Sequence, residues 1–470
     1  MDGKSKTLIN NLGILTLSNF SSKILVFLLV PLYTSVLSTE EYGLYDLVVS
    51  TVSLLVPVIS LNIIDAVMRF MMDKKYSQKQ VASIGIIQVT VSIILVATLL
   101  FACDILHLFV EIDGFKILIF CFYVSYILNQ YFIQFAKGLD KVKEMGIAGV
   151  LGTLVMIITN LLFLLVIKLG IVGFFIANII SQIIPVIYIL LATHFWGYLE
   201  KSFNKELWKE MIRYSVPLIA SVIGWWVNNG ADKYVVTFFC GMAANGLLSV
   251  AYKIPSILNT FQSIFIQAWQ ISAIKEYGDK NTAEFYGKTF IVINTMICIV
   301  CGLLIAFTRP LAQILYSKDF YFAWELVPFL LISSVFNCAS GFLGPILSAK
   351  KDSKSMAISS VYGAVVNILL NVCLVNIIGI CGITVATALA SFVIYQVRKR
   401  ALDGDIVIYQ YHKVLITWIL LLSQAFIEVY LGFYVIEIVF FIILVFININ
   451  SIKEMYNNVT VFIKKRGINK

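Results

Sequence analysis

Charged side chains are scarce in this sequence of 470 residues. Asp, Glu, Lys and Arg make up only 13% of it, whereas 60% of the residues are hydrophobic. A soluble globular protein carries about a quarter charged residues, so the composition excludes an ordinary water-soluble domain. The net charge of +9 therefore does not indicate nucleic-acid binding, and no nucleic-acid partner is expected, because in a membrane protein the location of the charge matters more.

Residues that bind metals or carry redox chemistry are also few. The three histidines, His107, His194 and His412, lie far apart in predicted loops. Cys298 and Cys301 form a C-x-x-C inside an apolar segment, where close packing is the expected role. The loops are too short for a catalytic domain, and no G-x-x-x-x-G-K-[ST] nucleotide-binding loop occurs. We expect no enzyme activity, metal or cofactor. Coupling to a Na+ or H+ gradient, the membrane potential and consumption of the substrate outside remain open as energy sources.

Long apolar runs are what the chain has instead. Runs of about 20 residues, enough to cross a bilayer, recur along nearly the whole sequence. They predict fourteen transmembrane helices near 10–37, 44–68, 81–103, 115–136, 145–167, 171–193, 212–240, 246–273, 287–308, 325–347, 356–377, 379–397, 414–432 and 434–452. The chain is therefore predicted to be an all-α polytopic membrane protein.

The distribution of basic residues predicts the orientation. With a cytoplasmic N-terminus, the cytoplasmic segments hold 28 of the 35 Lys and Arg residues, and the external breaks hold only four. Loops rich in Lys and Arg stay on the cytoplasmic side. We expect both termini in the cytoplasm and a basic cytoplasmic tail.

An internal repeat predicts two lobes. MGIAGVLGTLVMIITN, from Met145, aligns without gaps with MAISSVYGAVVNILLN, from Met356. Asn160 matches Asn371, and after a two-residue deletion Gly170 matches Gly379. The repeat spans six helices, an even number, so both halves enter the membrane in the same direction, as in transporters built from parallel repeats. We expect two parallel six-helix lobes around a central cavity (1–203 and 204–403), followed by two extra helices and the tail (404–470).

Four charged residues lie in the interior of predicted helices one, seven and eight, where a charge is costly. Lys23 is near the middle of helix one, Asp232 and Lys233 are in helix seven, and Lys253 is in helix eight. Such residues normally face a bundle interior or a water-filled cavity, although a lysine can also snorkel to the interface. Adjacent residues project about 100° apart, so Asp232 and Lys233 cannot share a face. Lys253 is a candidate partner for Asp232.

Other polar and aromatic residues allow two interpretations. Asp65 lies four residues before Arg69, a spacing that predicts a structural ion pair and leaves a gating role open. Gln262 and Trp225 belong to a set of amides and aromatic rings in helices seven and eight. Such a set suits a sugar-binding wall. Interfacial anchoring and hydrogen bonding between helices are equally open.

Two segments resemble a known family. SKILVFLLVPLYTSVLSTEEYGLYDLV (Ser22–Val48) looks like the opening of bacterial polysaccharide-unit flippases. RYSVPLIASVIGWWVNNGADKYVVTFFCGMAANGLLSVAYKI (Arg213–Ile254) looks like their seventh and eighth helices. This family belongs to the multidrug/oligosaccharidyl-lipid/polysaccharide (MOP) exporter superfamily. The resemblance covers nearly the whole chain, and twelve core helices plus two extra helices agree with the predicted spans.

The resemblance implies a function. Family members move an undecaprenyl-diphosphate-linked oligosaccharide across the bacterial plasma membrane by alternating access, for O-antigen, capsule or exopolysaccharide synthesis. Their cationic cavity lining corresponds here to Lys23, Lys233 and Lys253. Asp232, Gln262 and Trp225 complete the expected substrate-binding set. The implied partners are membrane lipids, the lipid-linked oligosaccharide, and the polysaccharide polymerase and chain-length machinery.

Four other functions are compatible with a polytopic membrane protein. A drug exporter of the same superfamily is expected to favour carboxylates in its lumen, whereas this chain has more intramembrane lysines. A major-facilitator transporter would carry a G-x-x-x-D-R-x-G-R-R loop after helix two, where this chain has RFMMDKKYSQKQ. A glycan polymerase would need a large external loop. A lipid II flippase stays open.

Overall fold

The computed structural model describes residues 25, 27–73, 75–106, 114–279 and 281–453. These residues form helices and connecting loops, without any β-strand, so the predicted all-α fold is confirmed. Ten helices in this part of the chain are long and apolar enough to cross a membrane, and two apolar helices are shorter. The total of fourteen spans stays a prediction. The contacts divide the chain into unit 1 (Met1–Gly230) and unit 2 (Ala231–Lys470). The lobe limits at 203 and 403 likewise remain predictions.

Unit 1 is built mainly from seven helices. They are α1 (Val30–Val36), α2 (Thr39–Ile59), α3 (Ile63–Met71), α4 (Gln78–Ile105), α5 (Lys116–Gly138), α6 (Val142–Asn160) and α7 (Gly170–Thr193). A capping box starts α2: Ser38 Oγ accepts from the Glu41 amide at 3.1 Å, and the Ser38 amide donates to Glu41 Oε2 at 2.8 Å. These bonds satisfy two backbone donors that a helix N-terminus otherwise leaves without partners.

The second predicted span is interrupted. α2 ends at Ile59 and α3 begins at Ile63, and between them Leu61 and Asn62 adopt left-handed φ angles of 56° and 51°. The Ser215 hydroxyl donates to the Leu61 carbonyl at 2.7 Å. This bond satisfies a buried carbonyl that the break removes from regular helix.

The helix α8 (Lys205–Cys240) contains the boundary between the two units. Its first part packs within unit 1, where Leu207 and Met211 are buried and the Trp226 indole donates to the Ser50 carbonyl at 2.9 Å. Its last ten residues belong to unit 2 and carry Asp232. α8 therefore places Asp232, the intramembrane aspartate predicted from the sequence, in unit 2.

Unit 2 contains nine further helices. They are α9 (Met242–Ala251), α10 (Lys253–Lys275), α11 (Thr282–Ala306), α12 (Thr308–Leu315), α13 (Val327–Ala349), α14 (Ser353–Ile378), α15 (Ile380–Ala401), α16 (Tyr411–Phe426) and α17 (Tyr434–Ile447). α13 is the central helix, since it is buried along almost its whole length. Trp269 of α10 stacks on Phe342 of α13 with ring centroids 4.3 Å apart. The predicted eighth span is divided at Tyr252, because Pro255 has no amide hydrogen to donate to the Ala251 carbonyl.

The helices α16 and α17 pack against α11 through buried polar contacts. The Trp418 indole of α16 donates to Asn294 Oδ1 of α11 at 3.0 Å. Asn448, just after α17, donates to Thr417 Oγ1 at 3.0 Å, and Gln424 donates to the Gly302 carbonyl at 3.0 Å. Hydrogen bonds between helices position them within apolar surroundings, where the hydrophobic effect does not favour one contact over another. We call α16 and α17 the accessory helices.

The internal repeat has a structural counterpart in each unit. In unit 1, α6 leads through a π-helical turn (Leu161–Val166) to α7, and in unit 2, α14 leads directly to α15. Gly170 and Gly379, which are equivalent in the alignment, have φ angles of +57° and +60°. Glycine adopts such angles without steric penalty. The two extra residues of unit 1 fall in the segment that contains the π-helical turn, a form that accommodates insertions in a helix.

A second glycine of the repeat lets two backbones approach closely. A Cβ atom on Gly173 would lie 3.0 Å from Phe163 Cβ, and one on Gly382 would lie 2.5 Å from the Leu374 carbonyl oxygen. Phe163 and Leu374 each lie three residues after the aligned asparagines, Asn160 and Asn371. The same small residue therefore performs the same packing role in each unit.

Candidate functional site

The carboxylate of Asp232 is buried in unit 2 and surrounded by neutral hydrogen-bond donors. The residue is 2% exposed. Asn371 Nδ2 donates to its Oδ1 at 2.6 Å, while Thr387 Oγ1 and the Tyr252 hydroxyl donate to its Oδ2 at 2.9 and 3.2 Å. Bonds of this kind stabilise an ionised carboxylate away from water. We call Asp232, Tyr252, Asn371 and Thr387 the Asp232 cluster.

Four segments bring this cluster together. α8 contributes Asp232, the junction between α9 and α10 contributes Tyr252, and α14 and α15 contribute Asn371 and Thr387. Asn367, one turn before Asn371, accepts the second amide hydrogen at 3.1 Å and so orients the Asn371 side chain. The glycine contact between α14 and α15 holds these two helices together. Packing specified by the repeat thus supports the cluster.

The cluster has the chemistry of a site for a small cation or a proton. Its oxygen atoms come from a carboxylate, amides and hydroxyl groups, which suit hard cations. The Asn371 Oδ1 atom is buried and accepts no hydrogen bond from any residue that the structure describes. No group of three or more His, Cys, Asp or Glu side chains suited to a metal ion occurs in the described ranges. The cluster contains one carboxylate, that of Asp232, and so a single negative charge.

The predicted lysines have different outcomes. Lys233 and Lys253 are each half-buried, Lys233 within α8 and Lys253 as the first residue of α10. Lys253 directly follows Tyr252, whose hydroxyl donates to Asp232. It is therefore adjacent in sequence to a residue of the Asp232 cluster. An ion pair between Asp232 and Lys253 stays a prediction. Lys23 lies outside the described residues.

The predicted pair between Asp65 and Arg69 does not form. Asp65 Oδ2 accepts from Asn62 Nδ2 at 3.0 Å, and Arg69 pairs with Asp73 at 3.7 Å. Asn62, which precedes the first turn of α3, is close to Asp65. The Arg69 side chain is exposed and extends away from Asp65, towards Asp73. Asp65 instead lines a cavity of about 150 Å³ within unit 1, together with Tyr126. A gating role for Asp65 or Arg69 remains a proposal.

Gln262 and Trp225 also have different outcomes. Gln262 is buried, and its Nε2 donates to the Ser334 carbonyl of α13 at 2.9 Å. This contact agrees with hydrogen bonding between helices, the second of the two interpretations. Trp225 belongs to α8, and its side chain lies outside the described residues.

Sequence reasoning found Asp232 but not its partners. The sequence marks Asn371 only as a repeat match. It does not mark Thr387, because threonine is common in apolar helices. An asparagine recurring at the same repeat position, as Asn160 and Asn371, was the available signal.

Comparison with known proteins identifies the family. Residues 8–270 match the family model described as polysaccharide biosynthesis protein, which is more than half of the chain. The chain belongs to the polysaccharide biosynthesis protein family. Residues 217–373 of this family member also match the MatE model. No curated protein matches the sequence. The resemblance to the polysaccharide-unit flippases of the MOP superfamily is thereby confirmed at the level of the family.

Solved structures share the fold of this polysaccharide biosynthesis protein. One is lipid II flippase MurJ in an inward closed conformation, with a TM-score of 0.71 and 14% identity over 94% of this chain and 99% of that chain. Another is a multidrug resistance MATE family transporter, inward-facing, with a TM-score of 0.64 and 16% identity over 83% and 95% of the respective chains. A MOP superfamily transporter from Pyrococcus furiosus has a TM-score of 0.55 and 15% identity over 84% and 96%. Ten helices of the described residues are long and apolar enough to span a membrane, so this polysaccharide biosynthesis protein is a multi-pass membrane protein, and it shares its fold with these flippase and transporter structures.

Proposed function

We propose that the protein moves a polyprenyl-diphosphate-linked oligosaccharide across the bacterial plasma membrane for surface polysaccharide synthesis. The diphosphate and sugars cannot cross about 30 Å of hydrocarbon unassisted, because their polar groups would lose their hydrogen bonds. The observation that carries the proposal is the pair of half-buried lysines, Lys233 and Lys253, in a member of a polysaccharide biosynthesis family. In the proposed mechanism these lysines supply counter-charge to the diphosphate while the polyprenyl tail stays in lipid.

Lysine supplies this charge as a compact point. It cannot form the two parallel hydrogen bonds that arginine makes to a phosphate, so a lysine site holds the head group without fixing its orientation. Loose recognition suits a transport step in which the substrate must also be released. We include Lys23 in the proposed set, because it is the third basic residue of the predicted spans.

The Asp232 cluster is the proposed coupling site. Asp232, Asn371 and Thr387 would hold a proton or a Na+ ion, whose charge would neutralise the buried carboxylate. The transmembrane gradient of this ion would drive the transport cycle. The neighbouring residues orient the Asp232 carboxylate through the three hydrogen bonds described above. This assignment uses groups distinct from the lysines, so coupling and substrate binding can be tested separately.

Lys253 provides the test of substrate binding. In a strain lacking the native gene, Lys253→Ala is expected to abolish surface polysaccharide, while Lys253→Arg retains part of it because the positive charge is kept. Lys275→Ala is the matched control, since Lys275 is an exposed residue at the other end of α10. Protein levels in the membrane are measured in parallel. Full surface polysaccharide from Lys253→Ala would remove this lysine from the proposed mechanism.

A leaflet assay tests the substrate itself. Spheroplasts with and without the protein are probed with an impermeant lectin or glycosidase for lipid-linked oligosaccharide on the outer leaflet. We expect the oligosaccharide to accumulate on the inner leaflet when the protein is absent. Lipid II, which also carries a polyprenyl diphosphate, is followed in the same cells. Redistribution of lipid II alone, or export of a cationic drug with no change in either lipid, would contradict the proposed substrate.

A further inference from the structure

A second buried acidic group lies in the accessory helices, separate from the Asp232 cluster. Glu428 is 2% exposed and belongs to the π-helical turn (Ile427–Leu431) that follows α16, and Glu437 is fully buried in the first turn of α17. Both residues occur in strongly apolar helices. Neither is used by the proposed transport mechanism.

One arginine contacts the first of these carboxylates. Arg309, in α12, places its Nε atom 3.1 Å from Glu428 Oε1, and its terminal nitrogen donates to the Glu428 carbonyl at 2.9 Å. The Trp324 ring covers the guanidinium, with the ring centroid 4.3 Å from Cζ. Arg309 is therefore held on Glu428 by contacts from several directions.

Glu437 has no comparable partner. Neither of its carboxyl oxygens accepts a hydrogen bond of sound geometry from the residues described, although both oxygens are buried. The π-helical turn that carries Glu428 packs against α17, which carries Glu437, so the pair of Glu428 and Arg309 supplies the neighbouring charged groups. Two carboxylates with one guanidinium leave one negative charge uncompensated. An uncompensated buried charge is strongly unfavourable in an apolar interior, so the group takes up a neutralising partner.

We propose that Glu437 binds a proton that it shares with Glu428, so that Arg309, Glu428 and Glu437 form a protonation site in the accessory helices. The site takes up one proton. The O–H group of the Glu437 carboxylic acid donates to the Glu428 carboxylate, which keeps its negative charge and its pair with Arg309. The three groups together are then electrically neutral. The site titrates as a pair, as two interacting carboxyl groups do.

The neighbouring arginine favours a proton over a metal ion. A metal cation bound between the carboxylates would lie beside the guanidinium, and the two positive charges would repel each other. A proton adds no second cation, because it becomes part of a neutral carboxylic acid. The argument uses charge and contact alone and does not depend on the transported substrate.

Among the described residues, the surrounding elements place no other charged group in contact with the pair. Gln424, one turn before Glu428 on α16, is neutral and donates to the Gly302 carbonyl. The acid and base of α11, Glu284 and Lys288, pair with each other near the start of that helix. Glu325 and Tyr430 lie in the segments next to this end of the accessory helices, but neither forms an ion pair or a hydrogen bond with Glu428 or Glu437.

Infrared spectroscopy of the full-length purified protein tests the proposal. A protonated carboxyl gives a C=O stretching band that is absent from carboxylates and shifts on exchange into deuterated water. We expect the wild-type protein to show this band at neutral pH and Glu437→Gln to lack one carboxyl's share of it. Glu284→Gln removes an exposed carboxylate from unit 2 and should leave the band unchanged. Any contribution from Asp232 is common to all samples and cancels in the differences.

Two results would overturn the proposal. The first is an unchanged band in Glu437→Gln, which would mean that Glu437 is ionised at neutral pH. The second is stabilisation of the wild-type protein by Na+ or K+ that is lost in Glu437→Gln, which would assign a metal ion to the site. Should Glu437→Gln fail to fold, Asp232→Asn is titrated instead, so that Asp232 cannot supply the band. Reversible loss of the band at alkaline pH, independent of Na+ and K+, supports the proton, and its absence at every pH from neutral upward contradicts it.

Discussion

At the scale of single residues, Asp232 and Glu437 are buried carboxylates of unit 2 that have different surroundings. Asp232 accepts three hydrogen bonds from neutral donors, whereas Glu437 accepts none of sound geometry and lies beside an ion pair. These bonds favour the ionised carboxylate of Asp232, which is the form that the proposed coupling site requires. The surroundings of Glu437 disfavour its ionised form, because no donor among the described residues contacts its oxygens.

Asp232→Asn tests the coupling site at this scale. The substitution preserves size but removes the charge, so we expect transport to lose its dependence on the Na+ or H+ gradient and to fall at least tenfold. Thr387→Val removes one donor to the carboxylate. It should cost about 1.5–3 kcal/mol of stability, the usual contribution of a hydrogen bond to a charged group, and weaken the ion dependence of transport without abolishing it, because Asp232 and Asn371 remain. Transport is measured in proteoliposomes with imposed gradients. Ion-dependent transport by Asp232→Asn would place coupling elsewhere.

At the scale of elements, the glycine contacts of the repeat hold α14 against α15. Gly382 admits no side chain without displacement, because its Cβ would meet the Leu374 backbone, whereas a Cβ on Gly341 would make ordinary contacts at 3.7 Å or more. The two glycines lie in long helices of the same unit. They form a matched pair for measuring what close backbone approach contributes.

We expect Gly382→Ala to destabilise the protein by about 1–3 kcal/mol, the usual cost of overpacking. Gly341→Ala should have little effect or increase stability slightly, because alanine is the better helix former. Thermal unfolding of the two variants in detergent gives the comparison. Equal melting temperatures would show that the helices separate easily to admit a methyl group.

Several elements could be predicted from the sequence, and others could not. The repeat predicted the helical pairs of both units, because glycine and asparagine recur at fixed spacing. The break after Ile59 had no clear signal, since Leu61 and Asn62 adopt left-handed angles without being glycine. The ion pair expected between Asp65 and Arg69 was wrong, because spacing alone does not say which nearby donor a carboxylate contacts first.

At the scale of the whole molecule, the sequence predicted the fold class from composition and the family from two segments. Asp232 was found because a charge stands out in an apolar run. The pairing of Glu428 with Arg309 joins residues more than a hundred positions apart, and nothing in local spacing predicts it. Contacts between distant segments depend on packing, which a single sequence does not display.

Orientation is tested with cysteines placed in exposed positions. Cys103, Cys121, Cys240, Cys373 and Cys381 are replaced first, because these native cysteines are at least partly exposed, and the buried ones are retained. Glu40→Cys is expected to react with an impermeant reagent from outside intact cells, and Ser353→Cys only after the membrane is opened. Labelling of both from outside would contradict the predicted topology.

The cluster of Arg309, Glu428 and Glu437 also bears on how the chain is made. Ribosomes synthesise Arg309 first, Glu428 much later and Glu437 last, so the cation is already present when the acidic helices arrive. When α17 is synthesised, the pair of Arg309 and Glu428 is already present. The acidic residue in the first turn of α17 is therefore not left without these neighbours in lipid. Cells that produce Arg309→Gln should consequently degrade the protein soon after synthesis ends, and pulse-chase labelling would reveal the shortened lifetime.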